Sequence, residues 1–311
     1  MHLMKDRLSI DFMGKRHLAI GISLLLMAIS IGSLAVRGLN FGIDFTGGTL
    51  IEVGYQSPAD LGAIRSALAD NGYEQVQVQY FGTTRDVLIR IPPTNEKGNV
   101  KLSDDILAVL SKSDADVMMR RVEFVGPQVG KELTEQGGLA MIYALIGILI
   151  YIMVRFHYRF APGAVAALVH DVVIVMGVFS FWQIGFDLTV LAALLAVIGY
   201  SLNDTIVVFD RIRETFRKMR KGTPLEIINM SINQTLSRTL MTSLTTLVVL
   251  VMLFIFGGEV IHSFALALIL GVMVGTYSSI FIASTTALAL GISKQDLMQV
   301  SKEEGSRDST P

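Results

Sequence analysis

Leu188–Phe209 reads LTVLAALLAVIGYSLNDTIVVF, an apolar run whose single charged residue is Asp204. A bilayer span needs about 20 consecutive apolar residues, so this stretch predicts a transmembrane helix and sets the fold class. Just beyond it stand Arg211, Arg213, Arg217, Lys218, Arg220 and Lys221, whereas Phe181–Asp187 before it contains no Lys or Arg. Further outward, five more runs have the same character: Leu18–Val36, Gln136–Val154, Phe160–Gln183, Thr239–Gly258 and Val260–Ser293. Only His170 and Asp171 interrupt the third span, and the last run is longer than one span needs. Composition agrees with six spans: 51% of residues are hydrophobic, 17% are charged, and the mean hydropathy is +0.55. A soluble chain carries roughly 25% charge.

Several function classes fall away on the same counts. Lys+Arg is 26 and Asp+Glu is 27, so no basic excess exists for nucleic acid. With no Cys there is no disulfide, thiolate nucleophile or thiolate metal site. The five His residues show no two-His metal spacing, and no cofactor or metal is expected. Ser33-Leu34-Ala35 has the small residues of a signal-peptidase site. A signal h-region is about 7–15 residues, and the longer Leu18–Val36 run is read as a retained helix.

Orientation follows from Lys and Arg. Lys5, Arg7, Lys15 and Arg16 precede the first span, and Arg155 and Arg159 lie between the second and third. The cluster from Arg211 to Lys221 follows the fourth, and Lys294, Lys302 and Arg307 follow the sixth. Phe181–Asp187 and Gly257–His262 lack Lys and Arg. The basic segments are therefore expected to be cytoplasmic, with both termini inside and the stretch after the first span outside.

That stretch has soluble composition and predicts alternating elements. Thr49–Tyr55, Gln75–Phe81, Val87–Ile91 and Val117–Val125 read as strands. Pro58–Asn71 and Ser103–Ser111 read as helices, capped by Ser57 and Ser103, and Gly82–Arg85 reads as a turn. The resulting βαββαβ order is the ferredoxin-like arrangement. The expected organisation is therefore 1–37 for the N-terminus and first span, 38–132 for an external α+β domain, 133–293 for the remaining spans and 294–311 for a cytoplasmic tail. Gly42–Gly48, GIDFTGG, lacks the Lys-Ser/Thr of a phosphate loop and reads as a tight turn at the membrane exit.

Ionisable residues inside spans cost roughly 2.5–3.5 kcal/mol on insertion scales and are functional candidates by default. Asp204 lies seven residues before Arg211, about 10 Å from the basic edge. Ser201, Asp204, Thr205 and Val208 share one helical face. Ser231, Thr235, Arg238, Thr242 and Thr245 form a polar stripe entering the fifth span. Arg238 enters at a depth matching Asp204, so the two can meet. A carboxyl buried alone favours its protonated form, whereas beside a guanidinium it stays ionised. Alternation between those arrangements would carry a proton. The alternative is a static ion pair that fixes helix packing. Asp171 lies mid-span and is as consistent with packing as with function. His170 precedes it, but adjacent helical residues point about 100° apart and need not form a relay. Asp210, Arg211, Arg213 and Glu214 read as topology anchors. Gly271-Val272-Met273-Val274-Gly275, continued by Ser278 and Ser279, allows close helix approach and marks the sixth span as central.

Several ordered motifs resemble one family. GIDFTGG (Gly42–Gly48), FVGPQVGKEL (Phe124–Leu133), ALVHD (Ala167–Asp171), IGYSLNDTIVVFDRIRE (Ile198–Glu214), INQTLSRTLMTSLTT (Ile232–Thr246) and GVMVGTYSS (Gly271–Ser279) are similar to the SecF branch of the SecD/SecF protein-export family, within the resistance-nodulation-division superfamily. The resemblance covers nearly the whole chain. It implies one six-span half of a twelve-span assembly in the bacterial inner membrane, completed by a SecD-like six-span subunit. It further implies a proton-motive-force-coupled role, without covalent catalysis, in moving a translocating polypeptide through the SecYEG translocon. The Asp of the NDT triplet matches Asp204 and the Arg of the SRT triplet matches Arg238. With Ser201, Thr205, Thr242 and Asp171, they make up the expected proton or ion pathway. The alternatives are a structural scaffold that only stabilises its partner and half of a proton-driven efflux transporter for small molecules or ions. The small external domain argues against the latter.

Overall fold

The computed structural model describes residues 10–93, 99–113, 116–156, 158–219 and 221–292 of the 311. Lys5, Arg7, Arg220, Lys294, Lys302, Arg307 and the expected tail at 294–311 lie outside the described residues.

Among the described residues, six helices are long and apolar enough to cross a membrane. They begin with α1 (Arg16–Arg37). After the short strand β1 (Asn40–Phe41) and one helical turn, α2 (Ile43–Thr46), comes a sheet domain. Its elements in chain order are β2 (Gly48–Gly54), α3 (Leu61–Asp70), β3 (Gln77–Phe81), β4 (Thr83–Ile91), α4 (Asn99–Ser113) and β5 (Met118–Val125). Next are α5 (Pro127–Arg155), α6 (Ala161–Trp182), β6 (Gly185–Phe186), α7 (Leu188–Lys218) and α8 (Pro224–Phe256). The last span is α9 (Glu259–Ser278), a π-helical segment (Ser279–Ala283) and α10 (Ser284–Ala289).

Local chemistry explains the helix ends. Gly38, at φ 65°, ends α1, and its N–H bonds Leu34 O. Asp187 caps α7 by accepting from the N–H of Val190. Thr223 and Glu226 form a reciprocal capping box around Pro224 at the start of α8. Two expected caps move. The N-cap of α3 is Asp60, which accepts from the N–H groups of Gly62 and Ala63, rather than Ser57. The helix therefore starts at Leu61, because a carboxylate satisfies two orphan donors there. Ser103 lies inside α4, which begins at Asn99. The expected turn at Gly82–Arg85 contracts to Gly82 (φ 74°), so β4 starts at Thr83.

The four strands β2–β5 form an antiparallel sheet in the order β3-β4-β2-β5. Ile51, Val53, Val87 and Ile89 from the central strands pack with Ile64 and Leu68 of α3 and Ile106 and Leu110 of α4. In the membrane part, burial is uneven. The most apolar windows of α6, α7 and the α9 span are 61%, 50% and 44% buried, against 22%, 11% and 17% for α1, α5 and α8. Small residues make this central trio possible. A Cβ on Gly271 would meet Val197 Cγ2 at 2.1 Å, and one on Gly275 would meet Ser201 Cβ at 3.0 Å. The last span is thus central, as the GxxxG spacing predicts.

GIDFTGG is more than a turn. β1 pairs in parallel with β6, and α2 packs on α5, where a Cβ on Gly130 would meet Gly47 N at 2.8 Å. Asp44 Oδ2 accepts from the N–H of Leu188, the first residue of α7. Arg90 of β4 donates from Nη1 to Phe41 O at 2.9 Å. Burial pushes the Arg90 guanidinium down from its ordinary value, and nearby Asp187 and Asp44 oppose that shift. The sheet domain is therefore fastened to the start of the central helix α7.

Candidate functional site

The mid-section of α7 packs between α8 and α9 and carries the candidate residues. Ser201, Asp204, Thr205 and Val208 all lie on its buried face. Asp204 is 3% exposed, yet its Oδ2 has no hydrogen-bond partner. The hydroxyls of Tyr200, Thr205 and Thr239 are also buried and unpartnered. Leaving a buried polar group unsatisfied costs about 1–3 kcal/mol, and native interiors rarely do so. Four such groups lie on α7 and α8.

Arg238 lies on the exposed side of α8. No ion pair within 4 Å joins it to Asp204, but its charge is near enough to act on that carboxylate. It lines a cleft of about 530 Å³ with Arg155, Ile206, Asp210, Arg211, Glu214, Gln234 and Thr235. The expected polar stripe on α8 divides into two. Ser231 and Thr235 face inward, continued by Thr239 and Ser243, whose Oγ lies 2.7 Å from Thr276 Oγ1 of α9. Arg238, Thr242 and Thr245 face outward, and the two threonine hydroxyls donate back to their own helix. Thr242 is thus brought to the exposed side with Arg238, not to Asp204.

Ser201 belongs to a different group. Its Oγ donates to Asp171 Oδ2 at 2.6 Å, and Ser278 Oγ donates to the same oxygen at 2.8 Å. The other oxygen, Oδ1, lies 3.0 Å from His170 Nδ1. Neighbours in sequence therefore do touch here, because the imidazole reaches back across the angle between them. The α6–α7–α9 junction so holds a carboxyl group with three hydrogen-bond partners, 1% exposed. Tyr277 stacks on His170 at 6.2 Å between ring centroids and donates to Ala19 O of α1 at 2.7 Å. Ser278 and His170 are the residues sequence reasoning undervalued. Gly271, Gly275 and Ser278 are spaced to share one helical face, but their small size reads first as packing.

At the basic end, Glu214 pairs with both Arg211 and Lys218. Among the described residues there is no group of three or more His, Asp or Glu side chains that could hold a metal.

Two family models match the chain: protein export membrane protein SecD/SecF, C-terminal, over residues 105–293, and the SecD/SecF GG motif over residues 32–59. A curated relative, protein translocase subunit SecF of Vibrio alginolyticus, is 54% identical over 99% of this chain and 99% of its own length. Among solved structures, SecDF of Thermus thermophilus, described as a translocon-associated membrane protein, matches with a TM-score of 0.84 at 37% identity. That match covers 93% of this chain and 39% of the longer one. SecDF in a super-membrane-facing form matches at the same identity and coverage with a TM-score of 0.69. Equal sequence similarity with unequal structural similarity means that those two structures differ in shape.

Proposed function

The chain belongs to the SecD/SecF family of protein export membrane proteins, and on that premise we propose that it is a SecF-like subunit of the Sec export machinery. It would form with a SecD-like six-span subunit a complex that uses the proton gradient to assist polypeptide translocation through the SecYEG channel. The SecDF match supports a two-part assembly, since this chain spans only 39% of that chain's length. The outer surface of the bundle supports it too. Large apolar side chains such as Ile142, Ile150, Leu244 and Met252 on α5 and α8 are exposed, and they suit lipid or a second bundle.

We read the chain as a multi-pass protein of the inner membrane. In this reading both termini are cytoplasmic and residues 38–132 are a periplasmic ferredoxin-like domain. The strand order β3-β4-β2-β5 supports the domain reading. The concentration of Arg155, Arg159, Arg211, Arg213, Arg217, Lys218 and Lys221 at one end of the spans supports the orientation.

The carrying observation is Asp204: a buried carboxylate with an unpartnered oxygen, within the field of Arg238 but not paired with it. Such a group can exchange a proton when the guanidinium approaches or recedes. One elementary charge moved through the full membrane field yields about 2.3 kcal/mol per 100 mV. Ser201, Thr205, Thr242 and Asp171 are read as further members of the pathway. No bond-making step is assigned to any of them. The test is export into inverted vesicles by the complex carrying Asp204→Asn or Arg238→Met. The expected result is loss of the gradient-dependent part of export with the complex still assembled. Full gradient-dependent export by Asp204→Asn would overturn the proton role.

A further inference from the structure

We propose that His170 and Asp171 form a protonation site of their own, in which His170 takes up one proton at Nε2 and Asp171 holds it as an imidazolium–carboxylate pair. The inference deepens the proton-driven reading and rests on it for its purpose, but the uptake itself is independent of Asp204.

The donor count sets the starting state. Asp171 Oδ2 accepts from two hydroxyls, Ser201 and Ser278, and Oδ1 faces His170 Nδ1. With Asp171 ionised, its Oδ1 can only accept, so the bond to His170 requires the ring proton on Nδ1. Neutral imidazole then carries its free lone pair on Nε2. That atom is buried and bonds no protein group. His170 is 4% exposed and Asp171 1% exposed. With the ring neutral, the pair has a net charge of −1 in a low-dielectric interior. A proton added at Nε2 brings the pair to zero, with no bond broken and no other group changed. A buried carboxylate is expensive unless paired with an opposite charge, so uptake removes an uncompensated charge.

The surroundings supply no competing charge among the described residues. From α1 the facing groups are Ser23 and the Ala19 carbonyl, both bonded to the Tyr277 hydroxyl. From α9 they are Tyr277 and Ser278, and from the π-helical segment Ser279, whose hydroxyl bonds Thr276 O. From α7 the contact is Ser201, with Asp204 one turn further along the same face. From α5, Met141, Leu145 and Ile148 pack nearby and are apolar. His17 on α1 and Tyr143 and Tyr151 on α5 are exposed and face away. The site also has mechanical reach. One carboxylate joins α6, α7 and α9, the three most buried spans, so its charge state bears on their packing directly.

The test is ring-nitrogen NMR of the full-length chain in lipid bilayers, with histidines labelled in this chain and the partner subunit unlabelled. The chain has five His, and His170→Gln assigns the signal. Between about pH 8 and 5, the range over which histidine changes charge, the His170 ring is expected to pass from the Nδ1–H form to the doubly protonated form. Asp171→Asn is expected to abolish that conversion, and Asp204→Asn to leave it in place. A ring that keeps one form over the whole range, or an unchanged conversion in Asp171→Asn, overturns the proposal. Loss of the conversion in Asp204→Asn overturns the independence of the site. The wild-type titration decides alone if Asp171→Asn does not accumulate. A failure of the Asp204 reading would appear instead in the export assay, which this measurement does not use.

Discussion

Asp171 and Asp204 are both carboxylates almost wholly withdrawn from solvent in the same bundle, yet their surroundings are opposite. Asp171 has hydrogen-bond partners on three helices, all within this chain. Asp204 has an oxygen with no partner, and the nearest opposing charge stands on the exposed side of α8. Both oxygens of Asp171 are partnered as folded. At Asp204, one carboxylate oxygen is left without a hydrogen-bond partner among the described residues. Satisfaction of hydrogen bonds, rather than depth of burial, distinguishes the two.

The sharpest way to break this comparison is by truncation. Asp171→Ala removes the shared partner of His170, Ser201 and Ser278, and the expected loss is about 2 kcal/mol or more. Asp204→Ala strands none of comparable geometry, and its expected effect on stability is smaller. Unfolding in mixed detergent measures both, and equal losses would erase the contrast. Gly271→Val would push Val197 away from the α7–α9 contact, where even a single added carbon meets it at 2.1 Å. Overpacking of this kind costs about 1–3 kcal/mol, and a lower unfolding midpoint is the readout. Ser278→Ala removes one donor from Asp171. Hydrogen bonds between membrane helices average about 0.6 and reach about 1.7 kcal/mol, so a modest loss is expected by the same assay. The smallest effect falls to Thr205→Val. Its buried hydroxyl bonds nothing, so the exchange removes an unsatisfied polar group and is expected to cost no stability. A Thr205→Val loss as large as that of Ser278→Ala would mean that the Asp204 site is also closed.

Much of this architecture was legible without coordinates. Runs such as Leu188–Phe209 have no other stable use than spanning, and Gly271 with Gly275 marks a close helix contact because nothing larger fits. Asp204 and Asp171 are conspicuous because charge in an apolar run is expensive. What sequence reasoning missed depended on direction and partnership. Asp60 displaces Ser57 as a cap because its carboxylate takes two N–H groups at once. GIDFTGG reads locally as a turn, while its Asp44 reaches Leu188 across the chain. Ser201 shares a helical face with Asp204, yet its hydroxyl turns to Asp171.

Sequence by itself determined the six spans, the strand-bearing insertion, the basic edges and the short set of intramembrane charges, since each follows from local composition and periodicity. Only the tertiary structure decided which charge is satisfied and which is left open. Helical periodicity gives the face a side chain occupies, but a hydrogen bond depends on which helix lies against that face and at what height. Here the packing of α9 on α6 and α7 gives Asp171 its Ser278 donor and leaves Asp204 facing an α8 whose arginine points outward.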